Sequence, residues 1–331
     1  MEKYIIQYKN KSINTKNWVP VTEEELILYK NEYFKKPIIE EVFKQMKKIT
    51  DNGVMADKIT RYYFRELMAQ VLVDGAKWTV EDVFNNKDLC GIFKAKVLNS
   101  PKVFKPNASM AYNIERAIAL GGKGYARIPT QFPFKAVKHI LENFNINNNF
   151  YDFSCGWGMR LLGALKYNIN YYGTDPNYKL CDKLEELDKD YKKIIKRDNI
   201  IDIRKQGSEI FIPEWRNKMG LCFSSPPYFS LEKYNYGQQS YKEGMEYNEW
   251  LNNYLYKTLD NIIEYLIPNG ILAINIKNTN FPLATDTNNY LKSKMLLIEE
   301  FPLKNIKRMK SNGKLTDSTD EKIYIYKNLK T

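Results

Sequence analysis

Four short stretches of the chain carry residue types that could build a reactive site. "DFSCGWGMR" begins at Asp152, "YGTDP" ends at Pro176, "KQGSE" ends at Glu209 and "CFSSPPYF" ends at Phe229. Gly156 and Gly158 let the backbone turn tightly and approach a ligand closely, with the Asp152 carboxylate beside them. Asp175, 23 residues further on, stands where a nucleotide-binding fold holds a ribose through its hydroxyls. Ser208 or Glu209 can meet the edge of an adenine ring. The third glycine, after Gly156 and Gly158, is Gly163, too late for the spacing that lays a pyrophosphate on a helix N-terminus. A nucleoside-like ligand without phosphates is therefore expected in place of a dinucleotide. The last stretch sets Ser225 and Tyr228 on either side of Pro226 and Pro227. Two adjacent prolines remove two backbone donors and stiffen the chain, so the segment forms a rigid corner after a strand and does not continue the sheet.

The rest of the composition narrows the chemistry. The chain has 331 residues and one histidine, His139, which sits in the helical pattern "FKAVKHILENF" and reads as a helix residue and not a ligand. Four cysteines (Cys90, Cys155, Cys181, Cys222) form no C-x-x-C pair, which argues against a zinc site or a disulfide framework. The formal charge is +12, with 21 basic and 15 acidic residues up to Gly124 and 30 and 24 beyond it. An excess spread so evenly suits a polyanionic partner such as nucleic acid, although a chain rich in Lys, Asn, Ile and Tyr can also owe it to coding composition. No apolar run approaches the roughly 18–20 residues of a membrane span, and the start lacks a signal-peptide core, so a cytoplasmic protein with no membrane partner is expected.

The elements that must position these stretches follow from periodicity. Residues 1–120 read as a mainly helical accessory region. "VTEEELILYKNEYFKKP" opens with a capping box, Thr22 with Glu25, and breaks at Pro37; a further helix is capped by Thr79. "ALGGKGYARIPTQFP" reads as the junction. From 121 to 331 strands and helices alternate, which implies an α/β fold: a mostly parallel sheet with helices on both faces. "PLKNIKRMKSNGKLTDSTDEKIYIYKN" reads as two strands joined by a polar loop, an antiparallel hairpin finishing the sheet.

The order D-F-S-C-G-W-G, G-T-D-P, S-S-P-P-Y-F resembles the S-adenosylmethionine-dependent DNA amino-methyltransferases (cytosine-N4/adenine-N6 type), whose motif [DNS]-P-P-[YF] follows the fourth strand. The resemblance covers roughly residues 125–331. It implies a Rossmann-like class I methyltransferase fold with a seven-stranded sheet, and S-adenosyl-L-methionine as cofactor. "RIPTQFPFKAVKHILENF", with Thr130, is similar to the segment that closes the cofactor pocket in that group. By the same resemblance Asp152, Ser154, Cys155, Gly156, Trp157, Gly158, Asp175, Pro176, Ser208 and Ser224 line the cofactor site. The first motif departs from the commoner D-P-F-x-G-x-G, and Trp157 is expected to pack near the cofactor.

Chemistry explains the diproline corner on this reading. An exocyclic amine is a poor nucleophile because its lone pair is delocalised into the base. Ser225 and the carbonyl of Pro226 are the expected acceptors that draw the amino group toward tetrahedral geometry, and Pro227 stiffens the corner. Tyr228 offers a stacking face worth about 1–3 kcal/mol. Double-stranded DNA hides such an amine, so the base must be flipped out. Serine at the first motif position favours cytosine N4 by resemblance, with adenine N6 as the alternative. Phe229 and the basic residues Lys307, Arg308 and Lys310 are candidate nucleic-acid contacts. The tyrosine-rich stretch from Tyr228 to Trp250 suits a flap over the base, and residues 1–110 are expected to help grip DNA. An RNA base methyltransferase, a binding module that kept the fold without the chemistry, and more distantly a nicotinamide-dependent dehydrogenase are the competing readings.

Overall fold

The computed structural model describes residues 4–49, 57–99, 110–119, 124–144, 147–234, 239–303 and 321–330. The chain divides into two compact units. One comprises Met1–Ile38, Phe64–Thr130 and Ser230–Asn235; the other comprises Ile39–Tyr63, Gln131–Phe229 and Tyr236–Thr331.

The first unit opens with a hairpin where helix was expected. Strands β1 (Tyr4–Tyr8) and β2 (Lys11–Thr15) pair in register, and Lys9 and Asn10 between them adopt φ of 48° and 57°. Positive φ at both residues of a two-residue loop gives the turn whose twist matches paired strands. Helices follow as expected. Thr22 Oγ1 accepts from the N–H of Glu25 while Glu25 accepts from the N–H of Thr22, closing the capping box on the helix Glu23–Phe34. Thr79 and Asp82 do the same for the helix Val80–Phe84. The core gathers Tyr33, Trp78, Phe84 and Phe93, with Tyr33 stacked on Phe84. Strand β3 (Leu72–Val73) pairs antiparallel with β8 (Glu232–Lys233).

The second unit is built on a seven-stranded sheet. Its strands are β4 (Asn149–Asp152), β5 (Asn170–Thr174), β6 (Ile201–Arg204), β7 (Met219–Ser224), β9 (Leu266–Ile276), β10 (Met295–Pro302) and β11 (Lys322–Asn328). Their order is β10-β11-β9-β7-β4-β5-β6, parallel except for β11, which runs antiparallel between β9 and β10. This is a Rossmann-like, doubly wound arrangement with an antiparallel pair at its C-terminal edge. The six residues of β7 are all buried, as a central strand covered on both faces requires. The outer strand of that pair lies at Met295–Pro302, earlier than the expected "PLKNIK", and a helix, Leu283–Leu291, precedes it. Two helices from the N-terminal stretch, Ile39–Lys47 and Asp57–Tyr63, belong to this unit, and Tyr63 Oη donates to Asp190 at 2.9 Å. Among the described residues no helix is long and apolar enough to cross a membrane.

Candidate functional site

Connections from β4 run one way across the sheet, to β5 and β6, and those from β7 run the other way, to β9. In open parallel sheets ligands bind where the order reverses, beyond the carboxyl ends of the strands. Here that point lies between β4 and β7. The loop after β4 carries the glycine turn and the loop after β7 carries the diproline corner. Ser224 Oγ donates to the carbonyl of Ser154 at 3.1 Å and ties the two loops together.

The glycine turn is held from below. Gly156 and Gly158 adopt φ of 57° and 77°, and Gly158 caps the helix Met159–Tyr167. A side chain there would be strained. Asp152 was expected at the cofactor; it is instead a fully buried strut. Arg160 Nε and Tyr171 Oη both donate to its Oδ2, at 2.9 and 2.8 Å, and Arg160 also donates to the Ser154 carbonyl. Arg160, missed in the sequence, is 4% exposed and its guanidinium lies over the ring of Phe132. Cys155 is buried, with its thiol donating to the Thr174 carbonyl at 3.4 Å, and burial pushes that thiol well above its ordinary pKa. Trp157, expected to pack near the cofactor, is also buried.

Asp175, expected at a ribose, directly follows β5. It is half-buried, and it accepts hydrogen bonds from the backbone N–H groups of Asn177, at 2.9 Å, and Gly156. Desolvation outweighs these bonds and pushes its pKa up to about 6. Pro176 beside it is half-buried, and Asn177 caps the helix Tyr178–Ile194.

At the end of β6 the two expected candidates part company. Ser208 is buried: its hydroxyl is shared with Thr258 Oγ1 at 2.9 Å and its carbonyl accepts from Asn261. Glu209 is half-buried, and its Oε2 is enclosed with no hydrogen-bond partner among the described residues. Tyr254 completes this side. Its Oη lies 3.5 Å from Ser154 Oγ, and burial raises its pKa, with Glu209 and Asp175 adding to the rise. Tyr254 stands in a π-helical turn, Leu251–Leu255, set inside the helical run from Tyr247 to Tyr265. Such turns are rare and cluster at functional sites. No sequence pattern announces one.

The corner itself is half-buried at Ser225, Pro227 and Tyr228 and buried at Pro226. Ser225 and Tyr228 both reach Asn275 near the end of β9, and Tyr228 and Asn275 also reach Glu321 just before β11. Phe229, a candidate nucleic-acid contact, is not available for one. It is 7% exposed, has φ of 51°, and its ring is met edge-on by Tyr241, Tyr247, Trp250 and Phe281. A left-handed phenylalanine costs of order 1–3 kcal/mol, and the aromatic cage holds it. Within the stretch expected to form a flap, Tyr241 and Tyr247 pack on Phe229, and Glu232–Lys233 forms β8. Thr130 is exposed and ends the Phe64–Thr130 segment of the first unit. Lys307, Arg308 and Lys310 lie outside the described residues.

No family model matches the sequence, and no curated protein matches it in sequence. Solved structures do resemble it in fold. A SAM-dependent O-methyltransferase from Thermotoga maritima is 11% identical, with a TM-score of 0.40 over 62% of this chain and 68% of that one. An rRNA methylase from Streptococcus thermophilus is 12% identical, with a TM-score of 0.40 over 61% and 99%. The N-methyltransferase NodS from Bradyrhizobium japonicum, in complex with S-adenosyl-L-homocysteine, is 12% identical, with a TM-score of 0.39 over 60% and 89%. All three TM-scores lie below 0.5, and nothing about this chain is argued from them.

Proposed function

We propose that this chain transfers a methyl group from S-adenosyl-L-methionine to the exocyclic amino group of a flipped DNA base, cytosine N4 in the first instance and adenine N6 as the alternative. One observation carries the reading: the Ser224–Ser154 hydrogen bond sets the diproline corner against the glycine turn at the switch point of the sheet.

The residues at the ends of β4, β5 and β6 suit the cofactor. Asp175 offers a partly accessible carboxylate for ribose hydroxyls, the turn at Gly156 brings backbone close without side chains, and the enclosed Oε2 of Glu209 is an acceptor still lacking a donor among the described residues. A buried acceptor left unmatched costs about 1–3 kcal/mol, which a ligand's N–H or O–H would recover. Tyr254 and the Ser154 loop would close that side. When bound, S-adenosyl-L-methionine supplies an electrophilic methyl carbon on its sulfonium.

The chain's own part is to bind and orient the amine. Ser225 Oγ and the Pro226 carbonyl accept its N–H bonds, which turns the nitrogen lone pair out of the base plane. Pro226 and Pro227 bring no N–H to compete for those acceptors. Tyr228, half-buried with its hydroxyl tethered to the Asn275 carbonyl at 3.3 Å, holds a ring face in a fixed place for the base. The charge of +12 suits a polyanionic substrate.

The test is methyl incorporation from tritiated cofactor into double-stranded DNA, single-stranded DNA and folded RNA supplied separately. Incorporation into DNA is expected. Incorporation into RNA alone replaces the substrate class, and binding of DNA with no affinity for S-adenosyl-L-homocysteine overturns the enzymatic reading.

A further inference from the structure

The corner presents a chemical difficulty. An acceptor for an amine N–H needs a free lone pair, yet a serine hydroxyl carries a hydrogen of its own that can point at the substrate instead. Asn275 and Glu321 surround Ser225 in a way that removes the ambiguity. Asn275 is 1% exposed. Its amide nitrogen lies 2.9 Å from Glu321 Oε1, 3.3 Å from Ser225 Oγ and 3.3 Å from Tyr228 Oη. Its backbone carbonyl accepts from the Ser225 hydroxyl at 3.1 Å and from the Tyr228 hydroxyl at 3.3 Å. The alternative acceptors are longer: Tyr228 Oη for Ser225 and Glu321 Oε1 for Tyr228, each at 3.5 Å.

Resting on the proposed function, we propose that Glu321 and Asn275 are positioning residues that turn Ser225 into an obligate hydrogen-bond acceptor for the substrate amine. A carboxylate can only accept, so Glu321 fixes which way the Asn275 amide faces: NH2 toward the carboxylate, oxygen away. The amide NH2 thus also faces Ser225 Oγ, and the serine hydrogen is directed to the Asn275 carbonyl. One lone pair of Ser225 remains for an incoming N–H. The arrangement leaves its mark in Asn275 Oδ1, which is buried without a partner among the described residues. An orphaned buried oxygen of that kind persists where neighbouring bonds hold the amide against its own preference. Tyr228 is held mainly by the Asn275 backbone carbonyl, a contact that does not depend on Glu321. Asparagine or aspartate at the first motif position carries an acceptor oxygen with no hydrogen of its own. A serine there needs this support.

The experiment is steady-state methyl transfer to DNA by the full chain and its variants, with S-adenosyl-L-homocysteine affinity by calorimetry and thermal unfolding measured on each. Glu321→Ala and Asn275→Asp are expected to lower kcat roughly 30-fold or more, while KM for DNA changes less than about threefold and cofactor-product affinity stays within about twofold. In a Ser225→Asn background, where the acceptor no longer depends on its neighbours, Glu321→Ala is expected to cost under about threefold. A purely structural role would lower activity equally in both backgrounds and would overturn the inference. So would wild-type kcat in Glu321→Ala. Absence of transfer by the wild-type chain itself would instead overturn the reading beneath.

Discussion

Asp152 and Asp175 both end a strand, and their neighbours separate their work. Asp152 has 0% exposure and is satisfied by Arg160 and Tyr171, so it holds the turn from beneath. Replacing Arg160 by Met leaves that carboxylate buried and uncompensated, and about 3–5 kcal/mol of unfolding free energy is expected to disappear. Adding Asp152→Leu should restore most of it, measured by urea unfolding of the three variants. Asp175 titrates instead. Burial raises its pKa from 3.8 to about 6, so the charged form is disfavoured in the free protein. The free protein therefore gains stability from this group as the pH falls through 6 toward 4. On the proposed function ribose hydroxyls donate to the charged form, so cofactor affinity is expected to move the opposite way, falling about tenfold between pH 7 and pH 5. Calorimetry across that range checks it, and Asp175→Asn should flatten the profile. In the sequence both aspartates had the same standing. What separates them, Arg160 folding back over eight residues and Tyr171 crossing from β5, is a three-dimensional fact.

The elements were legible in proportion to how local their causes are. Capping boxes at Thr22 and Thr79 are written within four residues, and both formed. The parallel core followed from strand–helix alternation. The first hairpin was not seen because its turn is Lys9-Asn10 and not one of the glycine-containing pairs that announce such turns. Strand β10 was placed too late because Leu296, Leu297 and Ile298 are about half exposed on an edge strand, which blurs the alternation. The π-helical turn at Leu251–Leu255 had no signature at all. It gives Tyr254 its place beside Ser154, and removing one exposed residue of that turn, Asn252, should convert it to regular helix and swing the tyrosine away. Helix content by circular dichroism is expected to hold, while affinity for S-adenosyl-L-homocysteine falls by roughly tenfold, the equivalent of one lost hydrogen bond. Unchanged affinity would remove Tyr254 from the site.

At the scale of the molecule, the sequence separated a helical region at 1–120 from the sheet at 121–331, and the chain's contacts divide it differently. Residues 39–49 and 57–63 pack within the sheet-bearing unit through contacts such as Tyr63–Asp190 and Lys166 Nζ–Ile49 carbonyl, 127 and 117 residues apart. Residues 230–235 belong to the first unit by way of β3 and β8. Pairings at such separations leave no trace in local composition, whereas the four strand-end stretches could be ordered from the sequence because each sits at the end of its own strand. The diproline corner against the glycine turn is the feature on which the whole reading stands. Nucleoside mass spectrometry of DNA incubated with the protein and methyl-deuterated cofactor tests it most directly. The label is expected on an exocyclic nitrogen, as N4-methylcytosine first and N6-methyladenine otherwise. Label on a ring carbon or an oxygen, or an unlabelled digest from protein that binds S-adenosyl-L-homocysteine, would contradict the account.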